Sequence, residues 1–96
     1  MTSKQRAYLK KLASTMDPIF QVGKSGITPE MTQAVSEALE ARELIKLHVL
    51  KNNFDDPKEL AQTLAERTRA QVVQVIGRKI ILYRESKDNK KILLPQ

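Results

Sequence analysis

Val22-Gly23-Lys24-Ser25-Gly26-Ile27-Thr28-Pro29-Glu30 joins an apolar stretch to the start of a helix, and the fold is read outward from it. On its N-terminal side Asp17-Pro18 breaks the chain, and Ile19-Phe20-Gln21-Val22 reads as a short buried strand. On its C-terminal side Thr28 suits an N-cap and Pro29 is pre-set for the first helical position. Met31, Ala34, Val35, Ala38 and Leu39 then form one apolar stripe, which ends near Arg42. From Leu44 to Leu50 the period becomes two, with Ile45, Leu47 and Val49 on one face and Lys46 and His48 on the other. Strand, glycine turn, helix and strand make one β-α-β unit.

The flanks complete the element order. Thr2 and Gln5 are spaced for a capping box, and Leu9, Leu12, Ala13 and Met16 come after them at helical spacing, so a first helix is predicted to about Met16. Asp56-Pro57-Lys58-Glu59 opens a third helix carrying Leu60, Ala61, Leu64 and Ala65. Val72–Ile76, a turn at Gly77-Arg78 and Lys79–Tyr83 read as a hairpin, and Ile92-Leu93-Leu94 as a short edge strand. The order α-β-α-β-α-β-β is that of a layered α/β domain with a four-stranded mixed sheet. Its strand–helix–strand units are expected to be parallel and right-handed and its last hairpin antiparallel.

At 96 residues the chain supports one core and a single domain, residues 1–96. It has no cysteine, which excludes disulfides, thiolate metal sites and Cys nucleophiles together. No leader-like or membrane-length apolar run is present, so a soluble, cytoplasmic protein is expected. Seventeen Lys and Arg against eleven Asp and Glu leave a formal charge of +6, which points to an anionic partner. That charge is uneven: residues 1–28 carry +4, 29–56 carry −3, 57–70 carry +1 and 71–96 carry +4. A single basic surface therefore requires the two ends of the chain to meet.

Gly23-Lys24-Ser25-Gly26 is the sharpest local feature. Two glycines permit positive φ and close backbone approach, so amide groups can face a phosphate. Lys24 adds a point charge, Ser25 a hydroxyl, and the helix start beyond them a favourable dipole. As four residues alone, the pattern also suits a tight turn that simply needs glycine. It is not a P-loop, because Pro18 occupies the place of the required first glycine. At 100° per residue, Lys4, Arg6, Lys10 and Lys11 fall across from the apolar side of the first helix, with no acid before Asp17. For an isolated helix such an arc is an ordinary solvated face; combined with the loop and with Arg78, Lys79 and Arg84 it outlines a candidate polyanion surface. The second helix instead carries Glu30, Glu37 and Glu40, an arc that phosphate would avoid.

Catalytic and metal readings are poor. His48 is the only histidine and sits alone on a strand, Asp55-Asp56 is explained by helix capping, and no nucleophile–base pair or metal set assembles. Tyr8, Phe20, Phe54 and Tyr83 are the only aromatics, too few for an aromatic sheet platform of the RRM kind. No cofactor and no small-molecule substrate are expected.

Arg6-Ala7-Tyr8-Leu9, Val22 through Thr28, Ala38-Leu39-Glu40 through Glu43-Leu44-Ile45-Lys46, Val75-Ile76-Gly77-Arg78, Leu82-Tyr83-Arg84 and Leu94-Pro95 occur together and in order across nearly the whole chain. In this the chain resembles the CRM domain (chloroplast RNA splicing and ribosome maturation) in its free-standing bacterial form, the YhbY family of ribosome-associated RNA-binding proteins. The resemblance implies a fold similar to the C-terminal domain of the bacterial translation initiation factor that guards the small subunit, with a loop analogous to that of KH domains. It also implies non-catalytic RNA binding, on ribosomal RNA in large-subunit precursors; a monomer is expected. The family's binding loop falls on Gly23, Lys24, Ser25 and Gly26 and its basic helix on Lys4, Arg6, Lys10 and Lys11, while Arg78 and Arg84 belong to a motif that is either binding or structural. Rival expectations are a factor for other structured RNA, as in intron splicing, a domain for DNA or anionic membrane surfaces, and a protein-interaction domain that uses the acidic face of the second helix.

Overall fold

Local caps set the three helices. In α1 (Ser3–Ala13) the Thr2 hydroxyl accepts from the Gln5 amide at 3.1 Å and the Gln5 side-chain oxygen accepts from the Thr2 amide at 3.0 Å, a complete capping box. α2 (Pro29–Arg42) starts with the Thr28 hydroxyl on the Met31 amide, and α3 (Pro57–Thr68) with the Asp56 carboxylate on the Lys58 amide. The computed structural model describes residues 1–96. α1 ends at Ala13, one turn short of the expected Met16. The Ser14 hydroxyl donates to the Lys11 carbonyl at 2.7 Å and the Met16 amide closes a turn on Ala13. Met16 nevertheless packs beside the helix, which is why the apolar spacing runs past the helix end.

Four strands, β1 (Phe20–Val22), β2 (Leu44–Val49), β3 (Gln71–Ile76) and β4 (Lys79–Tyr83), form one mixed sheet in the order β1-β2-β4-β3. β1 and β2 are parallel neighbours, while β4 is antiparallel to both β2 and β3. β2 and β3 therefore run the same way across α3, as expected, but with β4 inserted between them. A bulge between Val72 and Gln74 shifts the β3–β4 register. Ile92-Leu93-Leu94 is not a strand. The Ile92 amide, which an edge strand would need for its ladder, donates to the Glu43 carboxylate at 2.7 Å. Ile92 and Leu94 lie against the core, and Leu93 projects into solvent.

The sheet is covered on both faces. On one, Ile45, Leu47, Val49, Ile80 and Leu82 meet Val35 and Leu39 of α2 and Leu60, Ala61 and Leu64 of α3. On the other, Leu9 and Ala13 of α1 cover Leu44, Val73, Ile81 and Tyr83, with Leu12, Met16, Ile92 and Leu94 at the margin. Each buried large apolar side chain contributes about 1.5–3 kcal/mol. The ends of the chain do meet: the Gln5 side-chain amide donates to the Pro95 carbonyl at 3.1 Å.

β1, β2 and β3 share a direction, so the chain leaves all three of them at one edge of the sheet. That edge carries the Gly23–Gly26 loop, the turn after β2, the Gly77-Arg78 turn and the starts of α2 and α3. The opposite edge holds the ends of α2 and α3 and the C-terminal tail.

Candidate nucleic-acid interface

The Gly23–Gly26 loop is a tight turn closed by the Gly26 amide on the Gly23 carbonyl at 3.0 Å. Inside it the amides of Lys24, Ser25 and Ile27 have no acceptor within the chain, and Lys24 and Ser25 are exposed. Such groups require water or an anion. Gly26 has φ +68°, and a Cβ built there would meet nothing within 4 Å, so its outer side is open. Gly23 has no positive φ, and a Cβ there would touch Leu50 at 3.7 Å and Asn52 at 3.8 Å, ordinary contacts. Only the second glycine is required by backbone conformation.

The start of α2 offers an anion less than its position suggests. Pro29 has no N–H, the Met31 amide is held by Thr28, the Thr32 amide by the Thr28 carbonyl, and Glu30 places a negative charge on the first turn. The loop's own amides, rather than the helix dipole, supply its positive character.

The loop is mounted on the turn after β2. Buried Asn53 donates its side-chain amide to the Gly23 carbonyl at 2.9 Å, and the Leu50 amide donates to the Val22 carbonyl at 2.9 Å. Arg78 Nη1 donates to the carbonyls of Leu50 at 3.1 Å and Asn53 at 3.4 Å. Arg78 thus stands at the loop edge as a brace for this turn. Nothing in the sequence singles out Asn53, because Asn52-Asn53 before a helix cap reads as an ordinary loop.

Between the loop edge and α1 the sheet face is polar on β1, β2 and β4 and carries the exposed apolar Ile76 on β3. Pairing places Gln21 beside His48, His48 beside Lys79, and Lys79 beside Ile76, one row across all four strands at about 4.8 Å spacing. Lys46 lies one step nearer α1 on the same face. The row links the loop edge to α1, where Lys4, Lys10 and Lys11 are exposed. Lys79, from the C-terminal part of the chain, therefore shares the α1 side of the sheet with Lys46 and His48 from its middle.

Two of the candidate arginines are committed elsewhere. Arg6 Nη1 donates to the carbonyls of Val72 at 2.6 Å and Val73 at 2.9 Å, at the β3 register shift, so its guanidinium clamps α1 to β3. Arg84 lies at the edge opposite the loop. It donates to the Ser36 hydroxyl at 3.1 Å, the Ser36 carbonyl at 2.7 Å and the Thr68 carbonyl at 2.8 Å, and sits 3.9 Å from Glu40, joining α2, α3 and β4. Beside it a hollow of about 580 Å³ is lined by Glu37, Glu40, Glu85 and Asp88 along with Arg69 and Lys87, a wall unsuited to phosphate.

That edge also shows what the acids of α2 do. Glu40 accepts from the Ser86 hydroxyl at 2.6 Å and from the Lys87 and Asp88 amides. These bonds, the hydroxyl first, hold its carboxyl below the usual range against a small burial effect, with Arg84 assisting. Glu43 is fully buried. Burial alone would raise its pKa, but the amides of Ser86, Lys91 and Ile92, at 2.8, 2.6 and 2.7 Å, outweigh that and lower it, with Lys90 adding attraction. Glu43 also caps α2 at φ +68°. These two carboxylates staple the tail to the domain, which the sequence does not signal because its recipients lie more than forty residues away.

No three His, Cys, Asp or Glu side chains cluster for a metal ion, and no helix is long and apolar enough to cross a membrane. The fold and the loop define an α/β domain that presents a tight glycine turn with unpaired amides at one end of a four-stranded mixed sheet. The chain belongs to the CRS1 / YhbY (CRM) domain family, whose profile matches residues 1–84. It is 50% identical over 95 residues to a Bacillus subtilis protein named "Probable RNA-binding protein YqeI", covering 99% of each chain. A Haemophilus influenzae "RNA-binding protein" is 32% identical over 96 residues, covering 100% of this chain and 96% of its own. A solution structure from Staphylococcus aureus, put forward there as an RNA-binding protein, is 60% identical and superposes with a TM-score of 0.82 over 99% of both chains.

Proposed function

We propose that this chain binds structured RNA without catalysing a reaction, and that its target is ribosomal RNA in precursors of the large subunit, whose assembly it assists as a cytoplasmic monomer. One observation carries the binding reading: the unpaired amides of Lys24, Ser25 and Ile27 beside the open flank of Gly26. Lys24 and the row of His48 and Lys79 extend that cradle into a track for a sugar–phosphate backbone, and Lys10 and Lys11 add longer-range attraction. Phosphate contacts of this kind position an RNA without reading its bases. The names of the relatives support RNA over other polyanions, and the family resemblance supports a ribosomal target. A protein-interaction role for the acidic side of α2 has less support, because Glu40 is already engaged by the tail and Arg84.

Equilibrium binding to folded rRNA fragments, matched DNA duplex and anionic vesicles at equal salt tests the class of partner. Tightest binding to the rRNA is expected, with weakening on Lys24→Ala; tighter binding to duplex DNA or vesicles overturns the proposal. In-cell crosslinking with sequencing of the attached RNA tests the ribosomal assignment, since scattered sites on messenger RNA would refute it.

A further inference from the structure

Among the large apolar side chains Phe54 is the most exposed, at 94%, and it directly follows Asn53, which is bonded to the glycine loop. Burial would return about 1.5–3 kcal/mol for a ring of this size, which Phe54 forgoes. A lone exposed apolar residue is ordinary on a protein surface. The mounting of this one is not.

Asn53, immediately before it, is 3% exposed and bonded on every side. Its backbone amide donates to the Leu50 carbonyl at 3.1 Å, its side-chain amide donates to the Gly23 carbonyl, its side-chain oxygen accepts from the Asp55 amide at 2.8 Å, and its carbonyl accepts from Arg78. Asp56, two residues on, is fixed as the cap of α3. The backbone on both sides of Phe54 is therefore held, and one of the restraints is the carbonyl of the loop's first glycine. The ring cannot fold back onto the core without breaking this set. It is an exposed aromatic ring carried on anchored backbone beside the glycine turn.

We infer that Phe54 stacks on an unpaired nucleobase of the strand whose phosphate occupies the Gly23–Gly26 loop. The inference rests on the RNA-binding reading and deepens it, by specifying RNA with an unpaired nucleotide next to the gripped phosphate. Stacking suits a ring whose backbone is ordered in advance, because only its two side-chain torsions are left to be fixed on contact, and it accepts any base because every base has a flat π face. The charges agree with a nucleic acid: Lys24 in the loop and Lys51 in the turn before the ring are exposed, whereas exposed Asp55 is the ring's chain neighbour, which favours phosphate on the loop and a base over Phe54. Bases in a duplex already stack on one another, which leaves the ring nothing to bind in a fully paired stem. This is a single stacking position on a loop, distinct from the aromatic sheet platform that the low aromatic content excludes.

The test uses two RNA hairpins with the same stem, one fully paired and one carrying an internal loop of unpaired adenosines. The unaltered chain is expected to prefer the looped RNA by about tenfold. Phe54→Ala should remove that preference while leaving affinity for the paired stem and the urea midpoint unchanged. The sequence contains no tryptophan, so Phe54→Trp supplies a single reporter, and its fluorescence should be quenched by the looped RNA and not by the paired one. Equal preference in Phe54→Ala and the unaltered chain, or an unquenched Phe54→Trp that still binds, overturns the stacking. If Lys24→Ala weakens binding in the same series, the RNA reading survives that result. Failure of the unaltered chain to bind either RNA overturns both.

Discussion

Gly26 is where the candidate cradle is most directly tested. Its φ of +68° costs a side-chain-bearing residue about 1 kcal/mol, and less for Asn or Asp, whose short polar groups tolerate the left-handed region. The open space around it means that no clash adds to this cost. Gly26→Asn and Gly26→Asp thus carry nearly the same backbone strain and bulk and differ in one charge. Placed about 4 Å from a bound phosphate, that charge opposes binding by about 1 kcal/mol in bulk water and about 4 kcal/mol at an effective dielectric constant near 20. The exposure of Lys24 and Ser25 puts the site toward the watery limit, so a penalty of about 2 kcal/mol, roughly thirtyfold in Kd, is expected. Fluorescence anisotropy with a labelled rRNA fragment measures it, urea unfolding confirms that the two variants are equally stable, and the gap should narrow as salt rises. Equal dissociation constants for the Asp and Asn variants at low salt would show that no phosphate approaches this turn.

Reversing Lys10 and Lys11 to Glu should weaken RNA binding and flatten its dependence on salt concentration, and an unchanged slope removes α1 from the interface. Glu43→Gln should lower stability by about 3 kcal/mol, since three amides lose a charged acceptor, and Tm by about 12–24 °C in a domain of this size, as read by calorimetry. Glu40 and Glu43 are both held below their ordinary value of 4.5, so the folded chain favours their ionised forms. Their stabilisation is complete above that value and is lost as pH falls through the lower folded values, and the acid-side loss should be shallower in Glu43→Gln. Arg84→Ala should destabilise the fold with little change in RNA affinity once folded, and a large affinity loss at full stability would place Arg84 in the interface instead.

The sequence makes legible whatever is encoded locally. The Thr2–Gln5 box, the Thr28-Pro29 and Asp56-Pro57 caps, the alternation of Ile45, Leu47 and Val49 and the Gly77 hairpin all appear where their spacing places them. Ile92-Leu93-Leu94 misleads, because three apolar residues suit an edge strand and a strapped tail equally well and only the distant Glu43 decides between them. The same holds for charge. Lys4, Arg6, Lys10 and Lys11 look alike on a helical projection, yet Arg6 bonds carbonyls at a bulge that no turn residue announces. Arg78 and Arg84 are equally basic in sequence, and only the topology sends one to the loop edge and the other to the far end. Phe54 is visible as an aromatic, but its exposure stems from the bonds of Asn53.

The position of β4 has a consequence for how the chain reaches this state. The last strand in sequence fills the central slot between β2 and β3. Until it is available, the β1-α2-β2 unit and the α3-β3 unit have no shared ladder, and each presents an unpaired edge. During synthesis, which proceeds from the N-terminus, more than three quarters of the chain must exist before the sheet can close, so closure is a late and concerted event. A chain interrupted after Ile76 would leave one side of β2 and both sides of β3 unpaired, a state prone to pairing with copies of itself.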